Sequence, residues 1–154
     1  MSIAIALARY LAEQGVPYDV VQHPHTVTAS ESAKLSHVPI GRLAKAVVLK
    51  GEDGYMLAVL PASCHIQFGD LKRQLGADVA MASEDQIEAL FRDCEVGAVP
   101  ALGAAYGLKV IVDESLAKEP EIYLEGGDHA SLVHLSGSTF AKLLADARHA
   151  YFAA

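Results

Sequence analysis

The sequence is short of three things, and each shortage removes a class of protein. Cysteine occurs twice, as Cys64 and Cys94 in unrelated contexts and outside any CxxC pair. That leaves neither a disulfide framework nor a thiol redox motif, and a reducing cytoplasm is the natural setting. Basic residues are scarce: 12 Lys and Arg stand against 19 Asp and Glu, for a formal charge of −7. Neutralising phosphates across a broad face needs clustered Lys and Arg, so a nucleic-acid partner has to be gripped locally, at one end. Long apolar runs are missing too. No uncharged stretch approaches the ~18 residues of a membrane span. The opening "MSIAIALARYLAEQG" is broken by Arg9 and Glu13 and lacks a basic leader and a small-residue cleavage site, which makes it a helix rather than a signal peptide.

What is present is apolar: 52% hydrophobic against 20% charged residues, the balance of a compact fold rather than a disordered chain. At 154 residues one domain is expected over 1–154, able to bury roughly 70% of the surface its unfolded chain exposes. Ile3, Leu7, Tyr10 and Leu11 recur at helical spacing, predicting a helix over 2–14 closed by Gly15 and Pro17. "YDVVQH" reads as a strand, and "TASESAKLSHVP" as a two-turn helix with Thr28 and Glu31 in capping-box register. Residues 42–62 form a hairpin around "GEDG". "GDLKRQLG" is a helix ended by Gly76, "DVAMA" a strand, and "SEDQIEALF" a helix capped by Ser83 and Gln86. "DCEVGAVPALGAAYG" is an ordered loop, "LKVIVD", "EIYLE" and "SLVHLS" are strands, and "SGSTFAKLLADARHA" is a closing helix. Elements mix without strict βαβ alternation, so the expected fold class is α+β with a mixed sheet.

Candidate chemistry is sparse. The histidines His23, His25, His65, His129 and His134 fall in no HExxH or HxxxH spacing and Cys64 in no CxxC, so no metal is expected. His65 projects away from Cys64 on an extended chain, so a catalytic dyad would need a distant histidine, and a packed thiol is the simpler reading. "GAVPALG" (97–103) is neither a Walker motif nor GxGxxG, but its small residues leave backbone N–H groups open to a ligand oxygen while Pro100 stiffens the path. "EGGDH" (125–129) delivers Asp128 and His129 after a strand. Asp113 either caps "ESLAK" or lines a pocket. Lys45, at the entrance of "KAVVLK", is either a snorkelling lysine at a sheet edge or a cation placed by a rigid element at a pocket mouth.

Taken in order, "HPHTVTASESA", "LAKAVVLK", the hairpin, "GAVPALG" before "LKVIVDESL", and "EGGDH" before "LVHLS" resemble the YbaK/EbsC family, freestanding relatives of the editing domain of bacterial prolyl-tRNA synthetases. The resemblance runs from about residue 3 to residue 145. It implies a mixed, partly barrel-like sheet ringed by helices, and an aminoacyl-tRNA deacylase that hydrolyses a mischarged tRNA in trans. By that resemblance Lys45 is the functional residue and holds the backbone of the terminal adenosine. Gly97, Ala98, Val99, Pro100 and Gly103 embrace the aminoacyl carbonyl, while Asp113, Gly127 and His129 line the pocket. No cofactor and no metal are implied. The partners are the tRNA 3′ acceptor end and an aminoacyl-tRNA synthetase, with no membrane. A ribose hydroxyl of the tRNA helps activate the attacking water. Two departures stand out: Gly97 and Pro100 are three apart rather than four, and Ala46 follows the lysine where some members carry a polar side chain. Small pocket residues suit alanine, serine, cysteine or threonine as the amino acid removed. The alternative is a non-catalytic module that binds aminoacyl-tRNA, a synthetase or a small metabolite through the same pocket.

Overall fold

The computed structural model describes residues 3–154. Among them, five helices, α1 (Ile5–Gln14), α2 (Ala29–Leu35), α3 (Phe68–Leu75), α4 (Glu84–Leu90) and α5 (Gly137–Leu143), are interspersed with eight strands. The strands are β1 (Asp19–Gln22), β2 (Leu43–Gly51), β3 (Gly54–Pro61), β4 (Val79–Met81), β5 (Lys109–Asp113), β6 (Glu121–Glu125), β7 (Ser131–Ser136) and β8 (Arg148–Ala150). All eight join one mixed sheet in the order β1-β7-β6-β2-β3-β5-β8, with β4 added beside β2. This is the mixed α+β architecture that the irregular order of elements implied.

The β2–β3 hairpin is the centre of the sheet because it alternates correctly and turns tightly. Gly51 pairs with Gly54, and Gly54 sits at φ +113, a conformation open to glycine. Alternation then sorts β2 into two faces. Ala44 and Val48 join the large core with Leu7, Leu57, Leu124 and Val133. On the other face, Leu43 packs with Ala33, Leu132 and Tyr123 beneath α2, whereas Leu49 packs with Leu60, Leu71 and Phe152 beneath α3. Lys45 lies on this second face, in the gap between two apolar clusters.

The outer edge of β2 is also divided. β6 runs parallel to it at Leu43–Ala44, β4 runs antiparallel to it at Leu49–Gly51, and the stretch between pairs with neither strand. The sheet therefore splits beside Lys45, where β6 ends and the 126–129 turn begins.

Most expected helices form where their caps said. Ser83 and Gln86 make a reciprocal capping box, and Thr28 accepts the N–H of Glu31. The expected start of the first helix at residue 2 lies outside the described residues; the helix itself runs from Ile5 to Gln14 and ends on a left-handed Gly15. Two expectations are corrected. The 93–107 loop contains a 3-10 turn at Gly103–Tyr106, and the closing helix stops at Leu143 instead of continuing through "DARHA". Residues 148–150 instead form β8, parallel to β5. They follow the free edge of β5, and the Asp113 carboxylate just beyond accepts the N–H groups of Phe152 and Ala153. No described helix is long and apolar enough to cross a membrane.

Gly137 opens α5 with its N–H on the Pro120 carbonyl, and a Cβ there would overlap the Glu119 carbonyl oxygen. Backbone cannot swing aside as a side chain can. Gly137→Ala is thus expected to cost about 2 kcal/mol, seen as a fall in Tm of roughly 4–8 °C.

Candidate functional site

The split in the sheet collects most of the polar groups that the core buries. Glu125 ends β6, and Gly126, Gly127, Asp128 and His129 turn the chain back into β7. Gly127 takes φ +111, and a Cβ there would press on Ala4 Cβ and Cys94 Sγ. Asp128 holds the turn by accepting from Ala130 N at 2.9 Å and from Ser131 Oγ at 3.1 Å. His129 follows at φ +56, a left-handed conformation that costs a non-glycine residue about 1 kcal/mol or more. Its carbonyl accepts the N–H of Thr26. Backbone strain is thus stored at a buried histidine.

A second segment, 93–100, lies against this turn. The Glu95 N–H donates to the Gly127 carbonyl at 2.7 Å, and His129 Nε2 donates to the Val96 carbonyl at 2.8 Å. Gly97, at φ +88, lies so close to the His129 ring that a Cβ would come within 3.3 Å of Cε1 and Nε2. Ala98, Val99 and Pro100 are buried behind it. Among the described residues, no protein acceptor takes the N–H of Gly97 or Val99. Free N–H groups on a rigid path suit a ligand oxygen.

His129 forms part of the wall of an open cleft of about 790 Å³, with Val27, Asp85, Glu88, Arg92 and Glu95. Three carboxylates face one guanidinium there, so the cleft favours a cation. At its rim His25 Nε2 meets Glu95 Oε1 at 3.0 Å, and the His25 ring stands edge-on to His129.

Behind His129 sits Glu125, a residue the sequence reading passed over. It is 2% exposed, and neither carboxylate oxygen has a hydrogen-bond partner. His129 Nδ1, equally unpartnered, lies 3.9 Å from its Oε2. Burial pushes the Glu125 carboxyl up to about 7; the Ser32 hydroxyl opposes this, and the Asp128 carboxylate adds to it. The alternation of "EIYLE" already places Glu125 on one face with Glu121 and Tyr123; what the pattern does not show is that this end of the face is covered.

Lys45 occupies the same face of the sheet on the neighbouring strand, two residues beyond the Leu43–Tyr123 pair. Its Nζ donates to the Cys64 carbonyl at 2.7 Å, and no carboxylate lies within ion-pair distance among the described residues. Burial lowers its pKa, opposed by the Cys64 thiol. The stem is packed and one N–H is bound, which leaves two donors. Lys45 is not part of the cleft wall that carries His129. The Cys64 thiol itself packs against the α3 cluster.

The other expected positions are engaged elsewhere. Asp113 acts as the cap: its Oδ2 accepts from Ser115 N, its Oδ1 from Phe152 N and Ala153 N, and the residue is 2% exposed. Gly103 is pressed against Val110 and the Leu108 carbonyl, leaving no room for a side chain. Of the other cations, the half-buried Arg42 is held by Glu119, and the exposed Lys72 and Arg73 by Asp78 and Asp70. His134 is spent between Asp19 and Glu121, and His149 on Glu114.

Residues 23–143 match the family described as the aminoacyl-tRNA editing domain. Among curated relatives, the proline–tRNA ligase of Thermosipho africanus is 34% identical over 68 residues, 44% of this chain and 12% of its own length. That of Fervidobacterium nodosum is 31% identical over 108 residues, 70% of this chain and 18% of its own. The chain thus spans less than a fifth of these relatives. A crystal structure described as that of a candidate trans-editing enzyme for prolyl-tRNA synthetase superposes with TM-score 0.83 at 25% identity, covering 98% of both chains. The structure of the hypothetical protein APE2540 superposes with TM-score 0.85 at 20% identity, covering 97% of this chain and 99% of that one, a likeness of fold.

Proposed function

The chain belongs to the aminoacyl-tRNA editing domain family, and from that membership we propose that it is a deacylase of mischarged tRNA that acts in trans, working in the cytoplasm. The reaction is hydrolysis of an ester: water adds to the aminoacyl carbonyl, the bond to the terminal ribose breaks, and free amino acid and tRNA leave. An aminoacyl ester is already activated, so holding it against water and stabilising the developing oxyanion can supply much of the rate. The N–H groups of Gly97 and Val99 are the donors for that oxygen, and a ribose hydroxyl of the tRNA assists the water.

The observation that carries this reading is Lys45, a half-buried ammonium with two donors unused and no carboxylate partner, fixed on the sheet's central strand. It gives one phosphate or ribose of the terminal adenosine a fixed cation in a protein whose net charge of −7 repels nucleic acid elsewhere. The acidic cleft beside His129 complements this polarity, because it repels phosphate and attracts the α-ammonium of the aminoacyl group. The small residues of the loop favour alanine, serine, cysteine or threonine.

The test is a panel of tRNAs mischarged with these four amino acids and with larger ones, followed for release of labelled amino acid. Loss of at least one small aminoacyl ester well above the spontaneous rate is expected. No hydrolysis of any member overturns the assignment, and binding without turnover would select the non-catalytic module.

A further inference from the structure

The buried carboxylate of Glu125 has no part in the mechanism above, yet its burial without a hydrogen bond demands a reason. A carboxylate or carboxyl group taken out of water unpaired is costly, and native structures keep few such groups. Its neighbour His129 is in the same position at Nδ1, and the two groups face each other at ion-pair distance.

The remaining nitrogen of that ring decides what the pair can do. A carbonyl oxygen only accepts, so His129 Nε2 must carry a hydrogen to bond Val96. With Nε2 protonated, a neutral ring presents a bare lone pair at Nδ1 to Glu125. That is tolerable when the pair holds one further proton, on the carboxyl or on Nδ1. When that proton is gone, two lone-pair groups confront each other in a low-dielectric site. The ring then turns its hydrogen to Nδ1, and the Val96 carbonyl loses its donor.

We propose that Glu125 is a positioning residue for the editing reaction: it and His129 hold one proton between them, and that proton lets the ring keep Val96 and so fix the Gly97 peptide at the cleft. The groups that face the pair are the Asp128 carboxylate in the turn, the Ser32 hydroxyl from α2, the His25 ring edge-on from the segment after β1, and Glu95 bound to His25; Lys45, on the same face of the neighbouring strand, turns its ammonium to the Cys64 carbonyl. Of these, only the Ser32 hydroxyl lies close enough to pull the Glu125 carboxyl down, and it is already engaged with Thr26 Oγ1 at 2.7 Å and the Thr28 carbonyl at 3.2 Å, so no group makes a well-formed hydrogen bond to the Glu125 oxygens. The strained backbone of His129 and the contact of its ring with Gly97 give the ring little freedom to serve both neighbours otherwise.

The kinetic part of this inference rests on the deacylase reading, and the test therefore has a part that does not. Nitrogen-15 spectra of the histidine rings, with His129 assigned from a His129→Gln spectrum, report which ring nitrogen is protonated in the free protein. In the wild type, Nε2–H should persist at low pH and give way as the shared proton leaves. In Glu125→Gln, whose carboxamide N–H can serve Nδ1 at any pH, Nε2–H should persist throughout. A wild-type ring carrying its hydrogen on Nδ1 alone at about pH 6, or rings indistinguishable in the two proteins, overturns the proposal.

The kinetic part compares kcat against pH for the same two proteins on a mischarged tRNA that is hydrolysed. Wild-type kcat relative to Glu125→Gln should fall by about tenfold for each pH unit beyond the loss of the shared proton, with KM little changed. Glu125→Leu should be slow at every pH. Superimposable profiles of wild type and Glu125→Gln sink the positioning role. If no mischarged tRNA is hydrolysed, the deacylase reading fails, and the ring spectra still decide whether the proton is shared.

Discussion

Replacing Lys45 with alanine is expected to lower kcat/KM for the mischarged tRNA by about 100-fold, because it removes a charge-assisted hydrogen bond to the tRNA backbone worth roughly 1.5–3 kcal/mol. The interaction is made with substrate and transition state alike, so most of the loss should appear in KM, with a smaller fall in kcat from poorer placement of the ester. The salt dependence of binding should weaken by the share of one phosphate contact. Lys45→Arg is not expected to restore activity: a planar fork cannot reproduce a point charge that already spends one N–H on the Cys64 carbonyl at 2.7 Å. Folding is a separate matter. Burial already lowers the Lys45 pKa, so Lys45→Met removes a partly desolvated cation and should leave Tm unchanged or slightly raised. Undiminished kcat/KM in Lys45→Ala would return this residue to the role of a packed lysine at a sheet edge.

How far such roles can be read from sequence depends on where the stabilising partners lie. The β2–β3 hairpin was legible because its period, its glycine turn and its length agree, and Ser83 with Gln86 announced a capping box that forms. The segment 148–150 was not, since "LLADARHA" has good helical propensity and nothing local forbids the helix. What converts it to a strand is the free edge of β5 together with Asp113, whose carboxylate accepts N–H groups about forty positions later. Lys45 was visible as an unusual charge at a strand entrance, and the resemblance gave it a role. Its anchor on the Cys64 carbonyl and the split of the sheet beside it depend on β4 and β6 dividing one edge, which no local pattern encodes. Glu125 was hidden for the same reason. Its alternation with Glu121 and Tyr123 reads as a solvent-facing stripe, and it is buried beside Ser32 of α2, which arrives from a distant part of the chain.

Glu125→Gln is expected to be more stable than the wild type at pH 8 by as much as about 3 kcal/mol, and no more stable at about pH 4. The Glu125 carboxyl rises from 4.5 to about 7 on folding, with burial the main cause. Below the unfolded value both states carry the proton, and the residue contributes nothing to pH dependence. Between the two values the unfolded chain releases the proton while the folded protein keeps it, so stability falls as pH rises. Above about 7 the full penalty is present and constant. Glutamine does not titrate, so the difference in Tm between the two proteins should open across that window to roughly 6–10 °C, while acid effects common to both cancel. Equal Tm differences at the two pH values would mean that the folded protein does not hold this proton, and would remove the basis for its sharing with His129. A Tm difference that opens as expected would mean that the wild-type chain keeps a carboxylate at a net cost in stability. Selection tolerates such a cost at positions that serve activity, so the more stable variant should also be the one that loses the pH response of the loop.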